Sequence, residues 1–388
     1  MLITDLIGRG LRRPAGIAAA CLVGFWLLYG AVVGSLPSPG RPAEVLAFIQ
    51  AEGRGLIPPV LFIAALGQPT AQSANRALDA ILRVLAATAP LALLIGAATG
   101  LGFARNGLFH AFTSSHHVPG FIYGLGAAGR FVRRRPFDTR TRQIVILLML
   151  AIVFLSGSRA TLVGLLLVGA YLVFKDRNPA LVLRRSIALA VCVTMLLAFS
   201  PRARNTAADF LAPDFFTKLG DAFEGEGTGS DRLTSSTANV VKRFGLFGEA
   251  VALTLRSPVL GVGPFRFNDV EREYVGTEGL VAVAIDGQRE FNDFQAHNMI
   301  LHVSAETGLL GVALFLWPLG VVLRQTRTRR PTDESEVGRV LARVVLLFSV
   351  GVGVATAGLL TAGLGFVAYP ILGLTVRASR NENANMGD

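Results

Sequence analysis

The sequence predicts an all-α polytopic integral membrane protein of about ten transmembrane helices, with one large extracytoplasmic loop domain between spans seven and eight. Three observations carry this prediction. Hydrophobic residues make up 52% of the 388 positions and charged residues only 16%, where a soluble chain has roughly a quarter charged. Several apolar runs approach the ~20 residues that a helix needs to cross a bilayer. The arginines gather in short segments between those runs, as the positive-inside bias requires. That placement also accounts for the net charge of +11 and excludes nucleic acid as a partner.

Taken in order, Arg9, Arg12 and Arg13 precede an apolar run from Ala15 to Leu36. It reads as an uncleaved first span that starts in the cytoplasm. The stretch from Leu56 to Gly67 is short and holds Pro58-Pro59. Charge parity still requires a crossing there, because Arg76 and Arg83 bring the chain back inside before the third span, Ala80 to Phe103. A polar outer segment with Arg105, His110, His116 and His117 follows, then a Gly-rich span from Pro119 to Phe131. Between Arg130 and Arg142 six arginines face one aspartate, the strongest cytoplasmic signal in the chain.

The run from Gln143 to Phe174 is too long for one helix across a ~30 Å core at ~1.5 Å per residue. It predicts two helices joined by a tight outward turn at Ser156-Gly-Ser-Arg159. Basic residues from Lys175 to Arg185 return the chain inward, and a seventh span, Ser186 to Phe199, completes the N-terminal membrane region, 1–199.

Residues 200–296 carry ten Lys/Arg and fourteen Asp/Glu, reversing the sign of the rest. They read as an extracytoplasmic domain with its own helix at 239–256, capped by Thr237 or Asn239. Phe244, Phe247, Val251 and Leu255 give that helix an apolar face. Ser257-Pro258 ends it, and a Gly/Pro turn follows. Residues 297–376 hold three spans: the eighth from His297-Asn298 to about Leu323, then a hairpin over Val340 to Val376. Arg377 and Arg380 put the tail, 377–388, in the cytoplasm.

This topology gathers Arg159 of the outer turn, Arg243 of the loop helix and His297 of span eight on one side. Two guanidinium groups bind phosphate oxygens in a bidentate way and stabilise a departing diphosphate. A histidine takes the proton from an attacking hydroxyl. Together they suit group transfer from a diphosphate carrier to an alcohol. His302 and Glu306 are four residues apart and are expected to pair on one helix face as structural support. The acidic residues Asp221, Glu224, Glu226 and Asp231 fit no calcium-loop spacing. The histidines at 110, 116 and 117 lack ligand spacing. Cys21 and Cys192 lie in apolar runs and read as small hydrophobes. No metal and no cofactor is expected.

Four segments carry a family resemblance: Ser156-Gly-Ser-Arg159-Ala-Thr; Arg243 with Phe247; Ser257-Pro-Val-Leu-Gly-Val-Gly-Pro264; and above all Ala296-His-Asn-Met-Ile-Leu-His-Val-Ser-Ala-Glu-Thr-Gly-Leu-Leu-Gly311. From about Leu147 to Gly320 the chain resembles the O-antigen ligase and Wzy polymerase superfamily of bacterial membrane glycosyltransferases. The resemblance implies a glycan donor on undecaprenyl diphosphate, metal-free transfer with inversion, and a multi-pass protein of the inner membrane with its site facing the periplasm. It implies Arg159 and Arg243 as diphosphate-binding residues and His297 as the activator of the acceptor; Asn298, beside His297, is a further substrate-binding candidate. Trp is usual where Phe247 stands. Phe265-Arg266-Phe267 replaces a common Gly-Asn-Phe, so Arg266 is a candidate for an added phosphate contact.

The acceptor implied is either the end of another lipid-linked repeat, in a polymerase, or lipid A-core, in a ligase. The expectation leans to polymerisation of O-antigen or exopolysaccharide repeats, because the polymerases of the superfamily are numerous and varied; a chain-length regulator is then a partner. The rival from another class is a transporter or flippase for a lipid-linked sugar, which predicts repeats and broken helices at the membrane midplane. The sequence shows no internal repeat.

Overall fold

The computed structural model describes residues 3–34, 57–99, 117–133, 138–175, 235–264, 267, 298–326, 333–355 and 362–379, with isolated positions between 180 and 217. The regular elements among them are helices: α1 (Ile3–Leu11), α2 (Pro14–Gly34), α3 (Ile57–Leu66), α4 (Ala71–Thr99), α5 (His117–Val132), α6 (Thr139–Ser156), α7 (Arg159–Lys175), α8 (Ser235–Arg256), α9 (Met299–Gln325), α10 (Asp333–Ala355) and α11 (Ala362–Ala378). Five of them, α2, α4, α6, α9 and α10, are long and apolar enough to cross a membrane by length and composition, and α3, α7 and α11 are shorter apolar helices. The chain is a polytopic helical membrane protein. The expected seventh span, 186–199, and most of the loop domain lie outside the described residues.

Helix ends follow from local chemistry. Asp138 caps α6, its carboxylate accepting from the N–H groups of Arg140 and Thr141. The Thr141 side chain and those N–H groups hold the Asp138 carboxyl below the ordinary carboxylate range. Gly157 ends α6 in the left-handed conformation, φ 60°. Two expectations shift. The N-terminal basic segment forms a helix of its own, α1, ahead of the first apolar span. The loop helix begins at Ser235, so Thr237 and Asn239 lie inside it rather than at its cap.

The basic ends are tied to each other by hydrogen bonds. Arg9 Nε donates to Gly67 O (3.0 Å). Arg377 donates to the carbonyls of Gln68 and Pro69. Arg133 grips Asp79 through both carboxylate oxygens and also reaches Asn75 Oδ1. Lys175 pairs with Glu336 at 3.0 Å, and Arg343 Nη2 donates to Thr326 O at 2.8 Å. The start of α4 therefore shares a face with the ends of α1, α3, α5 and α11. The start of α10 likewise meets the ends of α7 and α9. Short α3 returns its C-terminal end to the Arg9 side, as charge parity requires. These ends make up the basic face.

The opposite face is set by α10. This helix packs on α5, α7, α9 and α11, and Phe348, Val352 and Leu341 on it are buried in the main core. Against α7 the backbones meet directly: a Cβ on Gly351 would lie 2.6 Å from Gly164 Cα. At the far end of α10, Asn298 Nδ2 donates to Val354 O at 3.4 Å. The starts of α7 and α9 thus both lie at the end of α10 away from the basic face.

Gly351→Leu should separate α7 from α10 and cost about 1–3 kcal/mol or more through overpacking. Gly24→Leu, where a Cβ meets nothing within 4 Å, should leave stability unchanged. Thermal unfolding of the two purified variants in detergent compares them.

Candidate active site

Two candidates, Arg159 and Asn298, sit at helix starts for local reasons. The Ser158 hydroxyl oxygen accepts from the Thr161 N–H (3.4 Å) and the Thr161 hydroxyl (2.8 Å). Ser158 is therefore the N-cap of α7, and Arg159 is the first helical residue. Ser156, Ser158 and Thr161 are fully buried, so the turn that carries Arg159 is packed rather than loose. At α9 the N-cap is Asn298, whose Oδ1 accepts from the N–H groups of Ile300 and Leu301, both at 3.1 Å. Asn298, the expected substrate contact, thus holds the helix start with its oxygen and α10 with its nitrogen. His297 immediately precedes this cap in sequence. His297 and Arg266 lie outside the described residues, as do His110, His116 and the acidic residues at 221, 224, 226 and 231. Arg243 lies in the first half of α8, and what positions it is the packing of that helix.

Helix α8 lies on α9. Leu246, Ala250 and Leu253 pack with Phe267 of the following turn and Ala305 of α9. The apolar face expected from Val251 and Leu255 is not the one buried here: both of those side chains are exposed. Thr254 Oγ1 and Ser304 Oγ are 3.0 Å apart. Inside α9, His302 Nε2 lies 3.5 Å from Glu306 Oε1, and both side chains are buried. The Phe267 ring stands edge-on to the imidazole, centroids 5.5 Å apart. The Phe267 N–H donates to Glu306 Oε1 at 3.4 Å. One carboxylate therefore touches both the imidazole of its own helix and the backbone of the segment that contains Arg266.

The strongest tie is in the backbone. Helix α9 is broken at Gly308, φ 63° and ψ −167°. An unbroken helix would bond the N–H of Leu309 to the carbonyl of Ala305 and the N–H of Leu310 to that of Glu306. Here the turn after α8 takes all four groups. Leu309 N–H donates to Pro258 O (2.8 Å) and Leu310 N–H to Val259 O (3.2 Å). Val262 N–H donates to Ala305 O (2.9 Å) and Gly263 N–H to Glu306 O (2.8 Å). Two helix bonds are exchanged for four bonds to the turn. Approach this close needs glycine on both sides. A Cβ on Gly308 would collide with the Val259 carbonyl, and one on Gly261, φ 69°, would collide with the Glu306 carbonyl.

Sequence reasoning brings out the turn, the helix start and the His302–Glu306 spacing. It misses the Ser158 cap, the Thr254–Ser304 contact and the break. An isolated Gly308 in an otherwise helical pattern is the available signal.

Comparison with protein families matches residues 144–316 to the model of a family described as O-antigen ligase (Wzy_C). The match begins in α6 and ends in α9, close to the Leu147–Gly320 bounds of the resemblance. No curated protein matches the chain.

Gly308→Ala should cost at least about 1–3 kcal/mol from backbone strain alone, and more from the clash. Gly320→Ala, on the same helix with nothing within 4 Å of a Cβ, should be neutral or stabilising by up to about 1 kcal/mol. Unfolding midpoints of the two variants measured side by side give the contrast.

Proposed function

Because the chain belongs to the O-antigen ligase/Wzy superfamily, which indicates O-antigen ligase-type activity in a membrane, we propose that it transfers a glycan from undecaprenyl diphosphate to an acceptor hydroxyl on the periplasmic face. The observation that carries the proposal is the shared position of two helix starts. Arg159 opens α7 and Asn298 caps α9 at the end of α10 opposite the basic face. By the positive-inside rule the basic face is cytoplasmic, which makes the opposite end periplasmic.

In this reading His297 takes the proton of the acceptor hydroxyl. The acceptor oxygen bonds to the anomeric carbon as that carbon's bond to the diphosphate oxygen breaks. The electron pair leaves on undecaprenyl diphosphate, which Arg159 and Arg243 hold through its phosphate oxygens. Arg266 adds a further phosphate contact. One displacement inverts the anomeric centre, and no step requires a metal. His302 and Glu306 support the α8–α9 pair rather than relay protons.

For the acceptor, our first reading is the end of another lipid-linked repeat of O-antigen or exopolysaccharide, with a chain-length regulator as partner. Transfer to lipid A-core is the second reading, favoured by the description of the matching family. A transporter would use the backbone groups freed at a helix break to coordinate its cargo. In α9 those groups are bonded to the turn after α8, which favours the enzyme.

His297→Ala should lower transfer by about 10²–10⁴-fold, the usual range for loss of a general base, while the protein remains membrane-inserted. Full activity in a membrane assay with a lipid-linked glycan overturns the mechanism. The wild-type product, a ladder of repeats or a lipid A-core conjugate, decides the acceptor. Arg243→Lys should lose about tenfold to a hundredfold, because a point charge does not replace a bidentate fork; near-normal turnover removes Arg243 from the diphosphate site.

A further inference from the structure

The segment after α8 carries an exposed apolar surface. Leu255 is 74% exposed, Val259 62% and Leu309 62%, and Val251, Leu260 and Leu310 are exposed beside them. Helix α8 is thus apolar on two sides near its end. Leu246, Ala250 and Leu253 face α9 and are buried, while Val251 and Leu255 face away. The outer side otherwise carries Gly248, Ala252 and the terminal Arg256, and a helix that bathed this side in water would carry more polar residues there.

Helix α9 shows what covers this surface. Its exposed positions from Leu309 through Ala313, Leu316, Trp317 and Gly320 to Leu323 recur at helical spacing. On a helix long and apolar enough to cross a membrane, such a stripe suits contact with lipid. Leu309 and Leu310 are the top of that stripe, and they are also the residues bonded to Pro258 and Val259. Depth follows from length. Arg324 marks the basic end of α9, and the roughly fifteen residues back to Leu309 rise about 22 Å at ~1.5 Å each. The hydrocarbon core is about 30 Å thick. The turn after α8 is therefore inside the core, about 8 Å short of its far boundary by these lengths, and any tilt of α9 sets it deeper.

We propose that the last turns of α8 and the turn Ser257–Leu260 are inserted in the membrane leaflet away from the basic face, with their apolar side covered by lipid acyl chains. The backbone supports this independently. Irregular chain at membrane depth is tolerated only where its polar groups are satisfied by protein. Much of the turn meets that condition: the Ser257 N–H and carbonyl are bonded within the turn and α8, and the carbonyls of Pro258 and Val259, with the N–H groups of Val262 and Gly263 just beyond, are bonded to α9. The proposal requires that the chain span a membrane, and it is independent of the transfer chemistry.

The test uses the full chain in liposomes, with Trp26→Phe and Trp317→Phe removing the native fluorophores. Leu255→Trp and Val259→Trp are single reporters, and brominated phospholipid is the quencher. The expected result is quenching within about twofold of that seen for native Trp317 in a Trp26→Phe chain. Quenching no greater than that of Gln72→Trp, at the exposed start of α4 on the basic face, overturns the proposal. If a bulky reporter disturbs insertion, Val259→Cys in a Cys21→Ser, Cys192→Ser chain replaces it. That thiol should react with a lipophilic maleimide and resist a water-soluble one; equal reaction with both overturns the proposal.

Discussion

Two hydrogen bonds missing from one helix organise this molecule. Opening α9 at Gly308 frees the N–H groups of Leu309 and Leu310 and the carbonyls of Ala305 and Glu306, and leaving such groups unpaired in hydrocarbon costs several kcal/mol each. The turn after α8 supplies a partner for every one of them. The break and the turn are therefore mutually dependent: neither keeps these backbone groups paired without the other. The glycines at 261 and 308 are what permits the approach, since either Cβ would occupy the backbone of the opposite segment.

The bend also solves a problem of length. A straight helix of 27 residues would span about 40 Å. Yet α9 starts beside Val354 and ends beside Arg343, and the roughly eleven residues of α10 between them rise only about 17 Å. An arginine side chain makes up part of the difference, and the change of direction at Gly308 takes the rest. The first part of α9 therefore does not continue the line of the rest. It packs instead under α8, with Glu306 joining His302 to the Phe267 segment. In the proposed reaction this pairing keeps the helix bearing Arg243, the segment bearing Arg266 and the cap beside His297 in one unit.

Much of this is legible in the sequence, and the reason is electrostatic. Arginine is costly to move across a bilayer, so counting arginines segment by segment groups the helix ends that Arg9, Arg133, Lys175, Arg343 and Arg377 tie together. The turn at Gly157 follows from the length of the apolar run and the polar Ser156-Gly-Ser-Arg159 that interrupts it. The break does not follow, because Thr-Gly-Leu-Leu-Gly reads equally well as continuous membrane helix. Its partner is the turn after α8, far earlier in the chain, and only the pairing of the two segments shows why each has its glycine. Apolar spacing predicts the loop helix but misplaces its start. Ser235-Ser-Thr-Ala-Asn reads by type as a run of capping residues, yet all five lie inside the helix. His297 and Arg266 are legible only as chemistry.

The same geometry bears on how a membrane enzyme brings unlike substrates together. In the proposed reaction a polyprenyl diphosphate keeps its chain in hydrocarbon and its phosphates at the boundary, whereas a glycan acceptor approaches from water. A site for both has to stand at that boundary without admitting water to the core. With its last turns inserted as proposed, helix α8 suits this, because its end is bonded to α9 through the turn that follows it. A loop domain tethered only by flexible ends would have to find the lipid anew at each turnover. One joined to α9 by four backbone bonds is held beside it, and the entropy of ordering that contact is lost once, on folding, rather than at every encounter.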